Sequence, residues 1–137
     1  MNAASILQGI QDRLEAIEPF DMAGPDDRFH GHIGSEPPLV IDRTFSVGSS
    51  LPARDNDFLD PTAYVITVAI AIAYLDGDGA LARILTDAEQ VCEAIHEMGS
   101  DLGVVIDQVA EGQVHQGPVQ NTLLAARMFR LRYTLGD

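Results

Sequence analysis

The chain contains no lysine: its 8 basic residues are all arginine, and they stand against 21 acidic ones for a formal charge of −13 over 137 residues. Non-specific affinity for nucleic acid or for an anionic lipid surface depends on net cationic charge, so neither is expected. Cysteine is nearly absent. Cys92 alone cannot form an internal disulfide, and a cysteine-ligated zinc site needs more thiolates than one, which favours a reducing interior. Long apolar runs are missing too. The longest, from Ala63 to Leu75 and including Thr67, falls well short of the roughly 20 residues of a spanning helix, so no membrane segment is expected. The opening MNAASILQGIQDRLEAIEP has no basic start, continuous apolar segment or cleavage site, and carries Asp12 and Glu15; it reads as mature protein. Ser46, Ser49 and Ser50 have no nucleophile-elbow context and no glycine loop suits a phosphate, so nothing speaks for an enzyme.

What is present is ordinary globular composition, 46% apolar and 21% charged, in a length that suits one domain spanning residues 1–137. Ile6, Leu7, Ile10, Leu14 and Ile17 recur at helical spacing behind Asn2 or Ser5 as caps, which predicts a helix over about 3–18 ended by Pro19. Residues 20–38 carry glycine and proline without periodicity and read as a long loop, either mobile or functional. LVIDRTFSV predicts a strand over 39–47 with Leu39, Ile41, Arg43, Phe45 and Val47 as its buried set. TAYVITVAIAIAYL predicts a second strand over 62–75, apolar on both faces, reached through the exposed arm GSSLPARDNDFLDP. Leu81, Ile84, Leu85, Ala88, Val91, Cys92 and Ile95 trace a helical stripe over about 80–98 with Gly99 as its stop, although Thr86 and Glu89 offer an alternative capping box. Strands over 102–110 and 119–135 follow, joined through a hairpin at Gly112, Gly117 and Pro118. The expected architecture is a two-layer α+β domain: a four-stranded, mainly antiparallel sheet with both helices on one face. Two helices cover one side only, and the doubly apolar second strand then calls for self-association or a covering layer made by loops.

The residues that could carry chemistry favour structural readings. His30 and His32 with Asp26 or Asp27 lack a third fixed metal ligand. Cys92 and His96 stand at i and i+4, but Cys92 lies in the apolar stripe and reads as a small core residue. Asp76-Gly-Asp78-Gly opens like a calcium loop, yet Ala80 and Asp87 occupy the positions that need an oxygen ligand and a glutamate; it reads as a turn and helix cap. Arg127, Arg130 and Arg132, beside Phe129 and Tyr133, could form a basic aromatic platform for nucleic acid, but the acidic whole favours pairing with carboxylates within a chain or across an interface.

The N-terminal amphipathic helix, RTFSV, the arm, YVITVAIAI, the helix TDAEQVCEAI and the pair GVVIDQV and NTLLAARMFRLRY resemble, in order and character, the tail terminator proteins of long-tailed bacteriophages and related gene-transfer particles. The resemblance covers nearly the whole chain and lies in element order, size and strand character. The 20–38 segment with its two histidines has no counterpart in it. It implies a structural virion protein of the tail and neck, assembled in the host cytoplasm: a hexameric ring that caps the tail tube, stops its growth and joins it to the head-side connector during virus assembly. It implies no catalysis and no cofactor. The same size and acidity suit another head-closure or neck component, or an acidic protein-binding module of the inhibitor or immunity type. Two surfaces are expected to make contacts. Arg54, Asp55, Asp57 and Phe58 sit at the tip of the arm, and Arg127, Arg130 and Arg132 on the last strand meet acidic partners of a neighbouring subunit or of the tube or connector. An acidic lumen would let DNA pass without specific binding.

Overall fold

The computed structural model describes residues 1–17, 30–34, 44–55, 60–75, 77, 79–111, 115–116 and 122–135. Its architecture is α+β: two helices pack on a mostly antiparallel sheet. Helix α1, Ala3–Glu15, starts in a reciprocal cap in which the Ser5 amide donates to Asn2 Oδ1 at 2.8 Å and the Asn2 amide donates to Ser5 Oγ at 3.1 Å. Both expected capping residues are therefore used, as two halves of one box. Ile6, Ile10 and Leu14, at four-residue spacing, are fully buried.

Strand β1, His30–Ile33, runs parallel to β2, Thr44–Ser49. It falls inside the segment that periodicity leaves as a loop. Four residues, HGHI, cannot display alternation, and the strand is set by its pairing with β2 beside helix α1. In β2 both side-chain sets are buried, Phe45 and Val47 at 0–1% exposure and Thr44 and Ser46 at 5–7%, whereas the pattern assigns only the first set to the interior. The rest of the expected strand, residues 39–43, lies outside the described residues.

The arm after β2 does not project freely. The Ser50 amide donates to the Thr67 carbonyl at 2.9 Å, the short strand β3, Ala53–Arg54, pairs with the start of β4, and the Asp55 amide donates to the Ala63 carbonyl at 2.9 Å. Among the described residues of the arm, Leu51 is the most open at 89% exposure, and Asp60 and Pro61 at its far end are exposed as well. The arm is exposed from Ser49 to Arg54, as expected, but it lies along β4 as a continuation of β2 after a short excursion at Leu51 and Pro52, and Asp55 is buried.

Strand β4, Ala63–Leu75, and strand β7, Thr122–Thr134, pair antiparallel along their whole length, from Ala63 opposite Thr134 to Leu75 opposite Thr122. Between them in sequence come helix α2, Ala80–Leu102, strand β5, Val105–Glu111, which borders β7 with a bulge between Gln108 and Ala110, and the two-residue β6, His115–Gln116. The sheet order is β1-β2-β4-β7-β5, with β3 on β4 and β6 on β7. The sheet therefore has one more main strand than the four expected, the addition being β1.

The core lies between the helices and one face of the sheet. Ile66, Val68, Ile70 and Ile72 from β4 and Phe129 and Leu131 from β7 meet Ile84, Ala88, Val91, Ile95 and Met98 from α2, all at 0–1% exposure. Leu81 and Leu85, assigned to the same stripe by spacing, are 54% and 45% exposed: they sit one step round the helix from the line through Ile84, Ala88 and Ile95. Cys92 packs against the cluster at its margin.

The helix also runs past its expected stop. Gly99 lies inside α2, where a Cβ would stand 2.9 Å from the Val104 carbonyl oxygen and 2.8 Å from Ile106 Cδ1. It is a close-approach residue, and termination falls to Gly103, whose φ of 69° is the left-handed conformation that ends helices, with its N–H donating to the Gly99 carbonyl. The start is at Ala80 behind Gly79, so the alternative box at Thr86 is not used; the Thr86 hydroxyl donates to the Ala82 carbonyl at 3.0 Å. Asp76, Asp78, Gly112, Gly117 and Pro118 lie outside the described residues. Among the described residues no helix is long and apolar enough to cross a membrane.

Candidate functional site

Residues directly opposite in antiparallel strands share a face, so the register sorts the sheet into two sides. One side, under the helices, carries Ile66 to Ile72 and, on β7, Ala125, Arg127, Phe129 and Leu131. The other side is not covered by either helix. Its β4 row is Ala63, Val65, Thr67, Ala69, Ala71 and Ala73; its β7 row is Leu124, Ala126, Met128, Arg130, Arg132 and Thr134; Val105 and Asp107 continue it on β5.

This open face is graded. At the β2 side it is closed, with Thr44, Ser46 and Ala73 buried. Towards β7 and β5 it opens: Ala69, Ala71 and Ala126 are half-buried, Met128 is 37% exposed and Val105 52%. Both faces of β4 are apolar, and the alanines make the open one flat.

The charged end of the face is built around Asp55. Its carboxylate is 2% exposed and lies 3.4 Å from Arg132 Nε, which is itself only 24% exposed. β3 pins Asp55 in place, since the two residues before it pair with Val65 and Tyr64. Asp55 is therefore turned into its own chain and is not the exposed contact residue expected at the tip of the arm. A cavity of about 120 Å³ opens here between Asp55, Asp60, Gly103, Val105, Arg132 and Tyr133. Asp60 accepts from the Thr62 hydroxyl at 2.7 Å and from the Thr62 amide at 2.9 Å, and those bonds hold its carboxyl below the ordinary 3.8. On the helix side, Tyr64 and Tyr133 stack with ring centres 6.3 Å apart, and burial followed by the neighbouring Tyr64 raises the Tyr133 phenol above its usual value.

The expected contact residues thus separate. Arg130 and Arg132 share the open face, Arg130 directly opposite Asp107, while Arg127 lies opposite Ile70 on the helix side and donates to the Ala126 carbonyl at 3.0 Å. Arg54 is exposed on β3. Asp57 and Phe58 lie outside the described residues. Met128, Val105 and Asp107 were not singled out by sequence; the period-two rule applied from Arg130 backwards along β7 finds Met128, whereas the other two depend on which strand β7 borders. His96 lies edge-on to Phe129 at 6.3 Å, so this imidazole packs against the core aromatic. Among the described residues no three His, Cys, Asp or Glu groups converge on a point that could hold a metal ion, and the side chains of His30 and His32 lie outside the description. The open face sets exposed apolar side chains, Met128 and Val105, beside the charged Arg130 and Asp107. No family model matches the chain, and no curated protein matches it.

Proposed function

We propose that the chain is a structural ring subunit of the tail terminator type, which caps a tail tube, stops its growth and joins it to the head-side connector. The observation that carries this reading is the open sheet face. Among the described residues no helix lies on that side, the middle of the face is apolar, and Met128 and Val105 are exposed at its β7 and β5 end. A surface of that kind is stabilised by a neighbour, and head-to-tail contacts between copies avoid open fibres by closing into rings. The formal charge of −13 per copy adds to the argument. Distributed round a lumen, it repels phosphates, so DNA slides through without being held.

The test is light scattering on size-exclusion at several protein concentrations, with and without purified tail tubes. The expected result is a discrete ring, formed alone or only on tubes, that shows no retardation of duplex DNA at physiological salt. A monomer at every concentration that also ignores tubes refutes the reading, and points instead to an acidic binding module.

A further inference from the structure

The molecule carries a second exposed apolar feature on its other layer. Leu81 and Leu85, one helical turn apart on α2, are 54% and 45% exposed, and the next turn on the same line brings the exposed carboxylate of Glu89. Along β7 the open face repeats this order: Ala126, then Met128, then Arg130. Same-face residues on a strand are about 6.8 Å apart, and residues four apart on a helix rise about 6 Å. The two rows therefore run in step, apolar, apolar and charged, with opposite charges at the end. Arg130 is in no ion pair among the described residues.

We propose, resting on the ring reading above, that the occupant of the open face is the first half of α2 from a second copy of this chain. Leu81 and Leu85 lie over Ala126 and Met128, and Glu89 pairs with Arg130. The flat alanine floor of Ala69 and Ala71 beside β7 lets a helix approach closely, where larger side chains would hold it off. The contact joins two different surfaces of one subunit, so each copy offers its helix to one neighbour and its sheet to the other. That is the head-to-tail arrangement from which a ring closes.

Charge exchange tests the pairing. The variants are Glu89→Arg, Arg130→Glu and the double variant in one chain, each checked by circular dichroism and melting for an unchanged fold, and each sized with and without tail tubes. Either single variant places like charges together and should raise the concentration needed for assembly by about tenfold. The double variant, and an equimolar mixture of the two singles, restores opposite pairs at every contact and should return to within about twofold of the parent. Wild type that assembles while both single variants assemble equally well overturns the contact and leaves the ring reading standing. Single variants that fail, with no rescue in the double variant or the mixture, overturn the Glu89 and Arg130 pairing. Wild type that never assembles, on tubes or off them, overturns both readings together.

Discussion

Replacing Gly99 by alanine should destabilise the protein even though it lies inside a helix, where alanine is normally favoured. Helix propensity alone gives Gly→Ala a gain of about 1 kcal/mol. Against it stand the three atoms that a new Cβ would meet: Ile106 Cδ1 at 2.8 Å, the Val104 carbonyl oxygen at 2.9 Å and Ile106 Cγ1 at 3.1 Å. The isoleucine tip can rotate away. The carbonyl cannot, because the same short connection has the Val104 amide donating to the Gly99 carbonyl at 3.0 Å and Gly103 fixed at a φ of 69°. Forced overpacking of this kind costs about 1–3 kcal/mol, so the net expectation is a loss of about 1 kcal/mol, a fall in melting temperature of about 3–6 °C for a domain of this size. Gly9 is the control. A Cβ there meets only Met98 Sδ at 3.8 Å, an ordinary contact, so Gly9→Ala should raise stability by about 0.5–1 kcal/mol. Urea unfolding and thermal melting by far-ultraviolet circular dichroism measure both, at concentrations where sizing gives one species. A Gly99→Ala protein as stable as the parent would show that the connection from α2 to β5 is soft and the steric argument wrong.

Arg132→Ala withdraws the cation 3.4 Å from a carboxylate that is 2% exposed; because the arginine is only partly buried, the loss should be about 1–3 kcal/mol, below the figure for a fully buried pair. Arg130→Ala, on the same face two residues away, should cost less than about 0.5 kcal/mol in the isolated subunit, and equal costs in urea unfolding would contradict the inward placement of Asp55. Asp60, whose pKa is lowered below 3.8 by Thr62, contributes stability that is fully present above its unfolded value and lost as pH falls through the folded one. Thr62→Val removes the hydroxyl donor but keeps the amide, so the Asp60 titration followed by carboxyl NMR should move up towards the ordinary range; an unmoved titration would mean that the hydroxyl bond is not formed in solution.

Both helices and the four long strands were legible because each is long enough for its period to show. Ile6, Ile10 and Leu14 mark α1, and the aliphatic run of Ala63 to Leu75 marks β4. β1, β3 and β6 were not, since HGHI, AR and HQ have two to four residues each and owe their extended form to the strand beside them. The misplaced end of α2 has a different cause. Gly99 and Gly103 are both acceptable stops by composition, and only the approach of Val104 from the connection and Ile106 from β5 assigns one to packing and the other to termination. The turn that folds residues five and seven positions on back against Gly99 leaves no mark in the hydrophobic period. Leu81 and Leu85 show the converse: their spacing does fit the stripe, but a stripe read from sequence has no edge, and the width that the sheet covers decides which leucines stay outside.

The arginines of β7 carry the same lesson into the site. Alternation along a strand separates Arg127 from Arg130 and Arg132 without any structure, and the register agrees, with Arg127 opposite core Ile70 and the other two on the open face. Alternation does not show that Arg132 is already engaged. That follows from β3, which folds the arm back along β4 and delivers Asp55 to the end of the face. A carboxylate expected to reach a partner instead neutralises a cation of its own chain, leaving Arg130 as the open-face arginine free of an ion pair among the described residues. Beside the apolar row, the open face thus keeps Arg130 and, directly opposite it on β5, the exposed carboxylate of Asp107. A replacement of all three arginines together would mix a helix-side residue, a member of an internal ion pair and an open-face residue, so the proposed contact is tested by substitution at Arg130 alone.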